Sequence, residues 1–299
     1  MLVYYSIAND DSGRCERQWI RSIRSLRRYN RSMPVHLTVY GRPARTLMRE
    51  AKAHGVTVHL IADYRACFRG VPAPRHEALA YYPTLHKFVS LRYIPRTASS
   101  RILYADCDTC FFGDVAALFE RYASRHWYAR EEPRSRRSHY GYDPSYVDED
   151  KLARIARAES LRFVSPHNTG VCIMNHGLAD ALAARSHELL RYAWRLLVGL
   201  HRKPVCPPEL AALLRKAVVA GDRRDAIDYP SSNAWIVEQI ATWMTLGSIP
   251  NLRHGVLQRK DVLQNGEFED ARSPLRCVMV HYYSTFERPF FERFERVAV

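Results

Sequence analysis

In its first hundred residues the chain alternates short β-type runs with helical patterns, and that order leaves few architectures open. Leu2 to Ile7, Val35 to Tyr40, Val56 to Ile61 and Arg101 to Ala105 read as strands, and helices fall near residues 15–29, 43–54 and 83–93. Strands alternating with helices predict βαβ units on a largely parallel sheet. Ligands on such sheets sit beyond the carboxyl ends of the strands. Two acidic loops lie there: Asn9-Asp10-Asp11 after the first strand and Asp106-Cys107-Asp108 after the fourth.

The second loop carries the chemistry. Spacing of i, i+2 in an extended chain puts the side chains of Asp106 and Asp108 on one face at the end of a strand. Asp-x-Asp alone is weak, since a chain of this length holds on the order of one such triplet by chance. A turn or helix cap is the ordinary alternative, and it suits Asp114. Here, however, the pair closes an apolar run at the place where such a sheet holds its ligand. Hard oxygen ligands suit Mg²⁺ or Mn²⁺, and an imidazole from His281, delivered by the late run Cys277–Val280, tilts the choice toward Mn²⁺. Such an ion neutralises charge building on a departing nucleotide diphosphate. Cys107 and Cys110 also form a C-x-x-C, the pattern of a redox pair or half a zinc site. There is no second copy, and Cys107 lies between the carboxylates, so both read as small packing residues.

At 299 residues, 47% apolar and 11% aromatic, the chain is globular and can bury a large core. Seven cysteines scattered through apolar segments do not form a disulfide framework. The N-terminal segment has no basic region of a signal peptide, and no apolar stretch approaches the roughly 20 residues of a membrane span. Cytoplasmic residence is expected. Lys and Arg number 45 against 31 Asp and Glu, a net charge of +14, which calls for anionic partners. Trp19, Ile20, Ile23 and Leu26 recur at helical spacing, while Arg14, Arg17, Arg21, Arg24 and Arg28 line another face of the same helix with only Glu16 nearby. That face is either solvated or a patch for an anionic membrane surface, placing the protein at the inner face of the membrane.

Beyond residue 130 the pattern loosens. Residues 130–160 are polar, Arg-rich and turn-rich and predict a long loop over the site, with tyrosines at 140, 142 and 146. A strand at Val171–Met174 and a long helix to about Leu200 follow. Pro207-Pro208-Glu209 opens another helix, and Ser231-Ser232 caps one running through Trp235 and Trp243 to Gly247. No internal repeat or linker divides the chain.

On these motifs the chain resembles glycosyltransferases of the GT-A fold, closest to the retaining group of glycogenin and bacterial lipopolysaccharide α-galactosyltransferases, glycosyltransferase family 8. Ala8-Asn9-Asp10-Asp11 is similar to the loop that contacts the nucleotide base. His86-Lys87-Phe88 with Tyr93-Ile94-Pro95 resembles the basic helix whose Lys or Arg approaches the donor phosphates. Leu103-Tyr104-Ala105-Asp106-Cys107-Asp108 resembles Leu-Tyr-x-Asp-x-Asp, and Asn168-Thr169-Gly170-Val171 resembles the Asn-[Ala/Thr]-Gly-Val whose Asn sits beside the donor sugar. Glu238-Gln239 lies where the family has Asp-Gln facing the transferred sugar. His281-Tyr282 with Arg288-Pro289-Phe290 resembles the closing motif that supplies the third metal ligand and a diphosphate-binding Lys.

The resemblance implies one GT-A domain over residues 1–299, with a nucleotide-binding half at 1–115 and an acceptor-side half at 116–299 that is mainly helical. It implies Mn²⁺ (or Mg²⁺) held by Asp106, Asp108 and His281. It also implies transfer of a hexose from a uridine-diphosphate sugar, with retention, to a saccharide, lipid-linked glycan or protein. Ala8, Asp10, Lys87 and Arg288 would hold the donor, and Asn168, Glu238 and Gln239 would face the sugar. The sequence departs from the family pattern in Glu238 for Asp, Arg288 for Lys, Ser284 for Gly, and the absence of an aromatic residue around Ser12-Gly13. Other readings are an inverting GT-A enzyme, a sugar nucleotidyltransferase, a basic nucleic-acid-binding protein or a silent membrane-surface scaffold. An inverting enzyme needs an acceptor-side general base that the sequence does not single out. Nucleic-acid binding calls for exposed aromatics among basic residues or a known module, and neither occurs, so no nucleic-acid partner is expected.

Overall fold

The computed structural model describes residues 1–8, 13–62, 87, 90–93, 101–131, 153, 156–157, 160–162, 164, 167–185, 234–269, 276–282 and 287–298. The loop at Asn9-Asp10-Asp11, nearly all of the polar stretch at 130–160, the helix expected at Pro207 and the Ser231-Ser232 cap lie outside the described residues.

Four parallel strands form one half of the main sheet: β1 (Leu2–Ala8), β2 (Val35–Tyr40), β3 (Val56–Ile61) and β4 (Arg101–Ala105), side by side in the order β3-β2-β1-β4. Helices α1 (Arg14–Tyr29) and α2 (Arg45–Ala53) make the crossovers. Alternate residues Val3, Tyr5, Ile7, Val35, Leu37, Val39, Leu103 and Ala105 bury one face against Trp19, Ile23 and Leu26 of α1 and Leu47 and Ala51 of α2. Trp19 is the largest side chain in this layer, and truncating it to Ala would cost about 3–5 kcal/mol. The opposite face is buried as well. Tyr4 and Tyr104 lie there, and the Tyr4 hydroxyl hydrogen-bonds Thr38 and donates to the Ser90 carbonyl. Burial on both faces explains why β1, β2 and β4 read as nearly continuous apolar runs.

The chain then passes through β5 (Thr109–Phe111), α3 (Val115–Arg121), β6 (Trp127–Glu131), β7 (His167–Asn175), α4 (His176–Ala184), α5 (Ala234–Gly247), β8 (His254–Val256), β9 (Val262–Gln264), β10 (Met279–His281) and α6 (Glu287–Ala298). Strand β7 runs antiparallel between β4 and β6, and β8 pairs parallel with β6 to complete seven strands. Asp114 caps α3 as expected, its carboxylate accepting the Ala116 amide at 2.8 Å. The strand foreseen at Val171–Met174 extends back to His167, so the Asn-Thr-Gly-Val motif is strand, paired across to Ala105 and Arg130.

Of a second sheet, β5-β10-β9, the sequence reading foresaw only β10, as the run Cys277–Val280. It pairs His281 with Thr109, and the Tyr282 amide donates to the Asp108 carbonyl at 3.1 Å. Residues Phe268, Tyr282, Phe290 and Phe294 form an aromatic cluster that seats α6 on this sheet.

Helix α1 differs from its expected two-faced pattern in two ways. Gln18, Ser22 and Ser25 form a buried polar stripe beside the apolar one. The arginine face is also partly answered from within the chain: Arg21 lies 2.7 Å and Arg14 3.8 Å from Glu287, and Arg24 lies 2.9 Å from Glu50. Glu16 is buried and accepts the Ala44 amide instead. Among the described residues the five cysteines are free thiols, and no helix is long and apolar enough to cross a membrane.

Candidate functional site

Strand β4 ends at Ala105, and the Asp106 amide continues its ladder to the Gly170 carbonyl of β7 at 2.7 Å. A tight turn follows, closed by the Thr109 hydroxyl donating to the Asp106 carbonyl at 2.9 Å. The polar stripe of α1 supports it from beneath. Ser22 bonds both Tyr5 (2.9 Å) and Thr109 (3.0 Å), and Ser25 accepts the Phe111 amide at 3.0 Å. Gln18 accepts from the Cys107 thiol and donates to Glu287. Each of these buried polar groups is satisfied by the turn at Asp106–Thr109 or its neighbours, as buried polar groups must be.

Onto this turn β10 delivers His281. Its Nε2 lies 3.2 Å from an Asp108 oxygen and 3.9 Å from Oδ2 of Asp106, and ligand atoms from all three residues lie within 4.8 Å of one another. Bonds of roughly 2–2.6 Å put opposite ligands of a hard cation about 4–5 Å apart, so this oxygen–oxygen–nitrogen set fits a single divalent ion. The imidazole is buried, and its room comes from Gly170: a Cβ there would lie 2.1 Å from Cε1 of the ring.

Electrostatics at the three residues are interlocked. Burial works to lower the His281 pKa, but the Asp108 carboxylate outweighs it and raises the imidazole above its ordinary 6.5. Burial works against ionisation of Asp108 too, yet His281 holds that carboxyl below its usual value. Asp106 shifts the other way: burial pushes it up despite the Lys87 ammonium beside it.

Lys87, expected to approach the donor phosphates, has its Nζ 2.9 Å from Asp106 Oδ2. Asn168 is buried in β7, and its side-chain oxygen accepts the Gly170 amide at 2.8 Å, shaping the strand under His281. Gln239 is buried in α5, which Trp243 ties to the His167 carbonyl by a 3.0 Å hydrogen bond. The Glu238 side chain and Asp10 lie outside the described residues. Ala8 is half-buried at the end of β1. Arg288 is not gathered with the others: it sits in the first turn of α6, its side chain 89% exposed, and donates to Glu292 at 2.7 Å. The sequence missed Tyr104 as a partner of Asp106, and it missed the Gln18, Ser22 and Ser25 stripe. Its one signal is small polar residues at helical spacing beside an apolar stripe.

A separate cavity of about 440 Å³ opens beside β8, lined by Arg121, Tyr122, Arg125, Tyr128, His167 and His254 among others. None of Asp106, Asp108 or His281 lines it.

No protein-family model matches the chain, and no curated protein matches it in sequence. Solved structures do match. The galactosyltransferase LgtC, in complex with donor and acceptor sugar analogs, is 14% identical at a TM-score of 0.51, over 100% of this chain and 95% of LgtC. An active-site mutant of LgtC gives 0.52 at the same identity and coverage. The bifunctional glycosyltransferase WbbM gives 0.53 at 13% identity, covering 95% of this chain and 46% of WbbM. The chain therefore has the GT-A fold that its motifs resemble.

Proposed function

We propose that the protein is a metal-dependent glycosyltransferase that moves a hexose from a uridine-diphosphate sugar to a hydroxyl of a glycan, lipid-linked glycan or protein. The observation that carries this reading is the convergence of Asp106, Asp108 and His281 within 4.8 Å at the carboxyl end of β4. Those three residues would hold Mn²⁺ or Mg²⁺, which when bound neutralises charge developing on the leaving diphosphate.

The chain's own groups do the rest. Lys87 supplies positive charge beside the carboxylates, and Arg288 would reach the diphosphate only by leaving Glu292. Ala8 and Asp10 border the nucleotide base at the end of β1. Asn168, Glu238 and Gln239 face the sugar. Retention of anomeric configuration rests on the motif resemblance. Residues 1–115 form the nucleotide-binding half and 116–299 the acceptor-side half, with the Arg- and Tyr-rich stretch at 130–160 binding glycan. The arginine face of α1 gives weak contact with an anionic membrane from the cytoplasmic side, limited by the carboxylates that already pair with Arg14, Arg21 and Arg24.

A screen of sugar nucleotides for thermal stabilisation with and without Mn²⁺ tests the reading. A uridine-diphosphate hexose should stabilise the protein only when Mn²⁺ is present. Stabilisation by sugar nucleotides regardless of metal, or by none of them, would contradict it.

A further inference from the structure

We propose that Lys87 is an internal counter-cation: it covers the Asp106 oxygen needed for metal binding, a divalent ion must displace it, and the donor's diphosphate then receives the displaced ammonium. This rests on the metal reading above and adds an order and a coupling to it.

The two oxygens of Asp106 are both engaged. Oδ1 accepts the Tyr104 hydroxyl at 3.2 Å, and Oδ2 accepts Lys87 Nζ at 2.9 Å. Oδ2 is also the oxygen turned toward His281, 3.9 Å from Nε2. The ammonium therefore sits on the atom through which Asp106 would join the other two ligands. The side chains of Lys87 and Asp106 are only 13% and 19% exposed, so water screens the contact little. An ion arriving at Oδ2 would meet a full positive charge about one hydrogen-bond length from its ligand.

Lys87 earns its place in the metal-free protein by offsetting two neighbouring carboxylates that would otherwise repel each other. Once a dication supplies that charge, the ammonium is surplus and needs another anion. A lysine suits such a move, because its charge is a point on a flexible stem, whereas an arginine fork would grip the carboxylate in fixed geometry. A nucleoside diphosphate provides the anion. Metal and nucleotide should therefore bind with positive and reciprocal coupling, with Lys87 as the element both ligands bias.

Free Mn²⁺ can be followed by electron paramagnetic resonance in titrations of wild type, Lys87→Met, Lys87→Gln and Lys87→Arg, with and without uridine diphosphate. Lys87→Met and Lys87→Gln should bind Mn²⁺ about tenfold tighter than wild type when nucleotide is absent, and the tightening by uridine diphosphate seen in wild type should largely vanish in both. Lys87→Arg should bind Mn²⁺ no tighter than wild type. Circular dichroism selects the folded variants, and either neutral variant suffices. If wild type binds Mn²⁺ but folded neutral variants bind it equally or more weakly, Lys87 is no competitor and this proposal is overturned while the metal assignment stands. If wild type binds no Mn²⁺, both fall.

Discussion

The His281 imidazole lies against Gly170 so closely that the smallest side chain there would overlap it, with a Cβ only 2.1 Å from Cε1. Gly170 also gives its carbonyl to the Asp106 amide and its own amide to Asn168. One residue of β7 thus sets the positions of two metal-ligand candidates. Gly170→Ala should push the ring off Asp108, weaken Mn²⁺ binding by about 10–100-fold and destabilise the fold by about 1–3 kcal/mol. Mn²⁺ titration and denaturant unfolding check both effects.

Tyr104 steadies Asp106 through Oδ1 alone. Tyr104→Phe should leave the carboxylate less well oriented and lower Mn²⁺ affinity, by about tenfold at the low end of effects seen for groups that orient metal ligands. The readout is the affinity itself, with a melting curve to show that the sheet is intact.

Ser25 is buried and satisfies the Phe111 amide, while Ser22 joins Tyr5 to Thr109. Ser25→Ala should cost about 1–3 kcal/mol by leaving that amide unpaired. Ser22→Ala should cost a similar amount and loosen the turn that carries Asp108. Urea unfolding of each variant measures the loss.

The shifts at the site fix a pH dependence. His281 is raised above 6.5, so its pairing with Asp108 stabilises the metal-free fold below that pH and is lost as pH rises through the raised value. Asp108 is lowered from 3.8, so its share is present above 3.8 and lost as pH falls through the lowered value. The pair is therefore most stabilising between those limits, whereas Asp106, raised by burial, costs stability as it ionises. Binding of Mn²⁺ needs a neutral imidazole and should release a proton and tighten as pH rises through the raised value of His281. Calorimetry in buffers of different ionisation heats, at several pH values, measures both.

Much of the first 115 residues was legible because long runs carry strong patterns. Bounds of β2, β3 and β4 match the sequence reading, since short runs of β-branched and other apolar residues declare a strand. His281 was legible as a strand-end imidazole, although β10 begins two residues later than foreseen and includes it. The rest of the small sheet was not legible, because β5 and β9 have three residues each, too few to show a period. Yet that sheet brings His281 to Asp108. The polar stripe of α1 was hidden for another reason: Gln18, Ser22 and Ser25 look like a solvated face until the fold buries them. Arg288 was chosen by motif position, and its contact with Glu292 could not be read from that.

Donor hydrolysis tests the metal reading most directly. Wild type, Asp108→Asn and His281→Ala, each stripped with a chelator and then given Mn²⁺, are compared for release of uridine diphosphate from a uridine-diphosphate hexose. Wild type should turn over only with Mn²⁺, and each variant should fall by at least about 10²-fold while remaining folded. Chelator-resistant turnover in wild type, or full activity in either variant, would contradict a metal held by Asp106, Asp108 and His281.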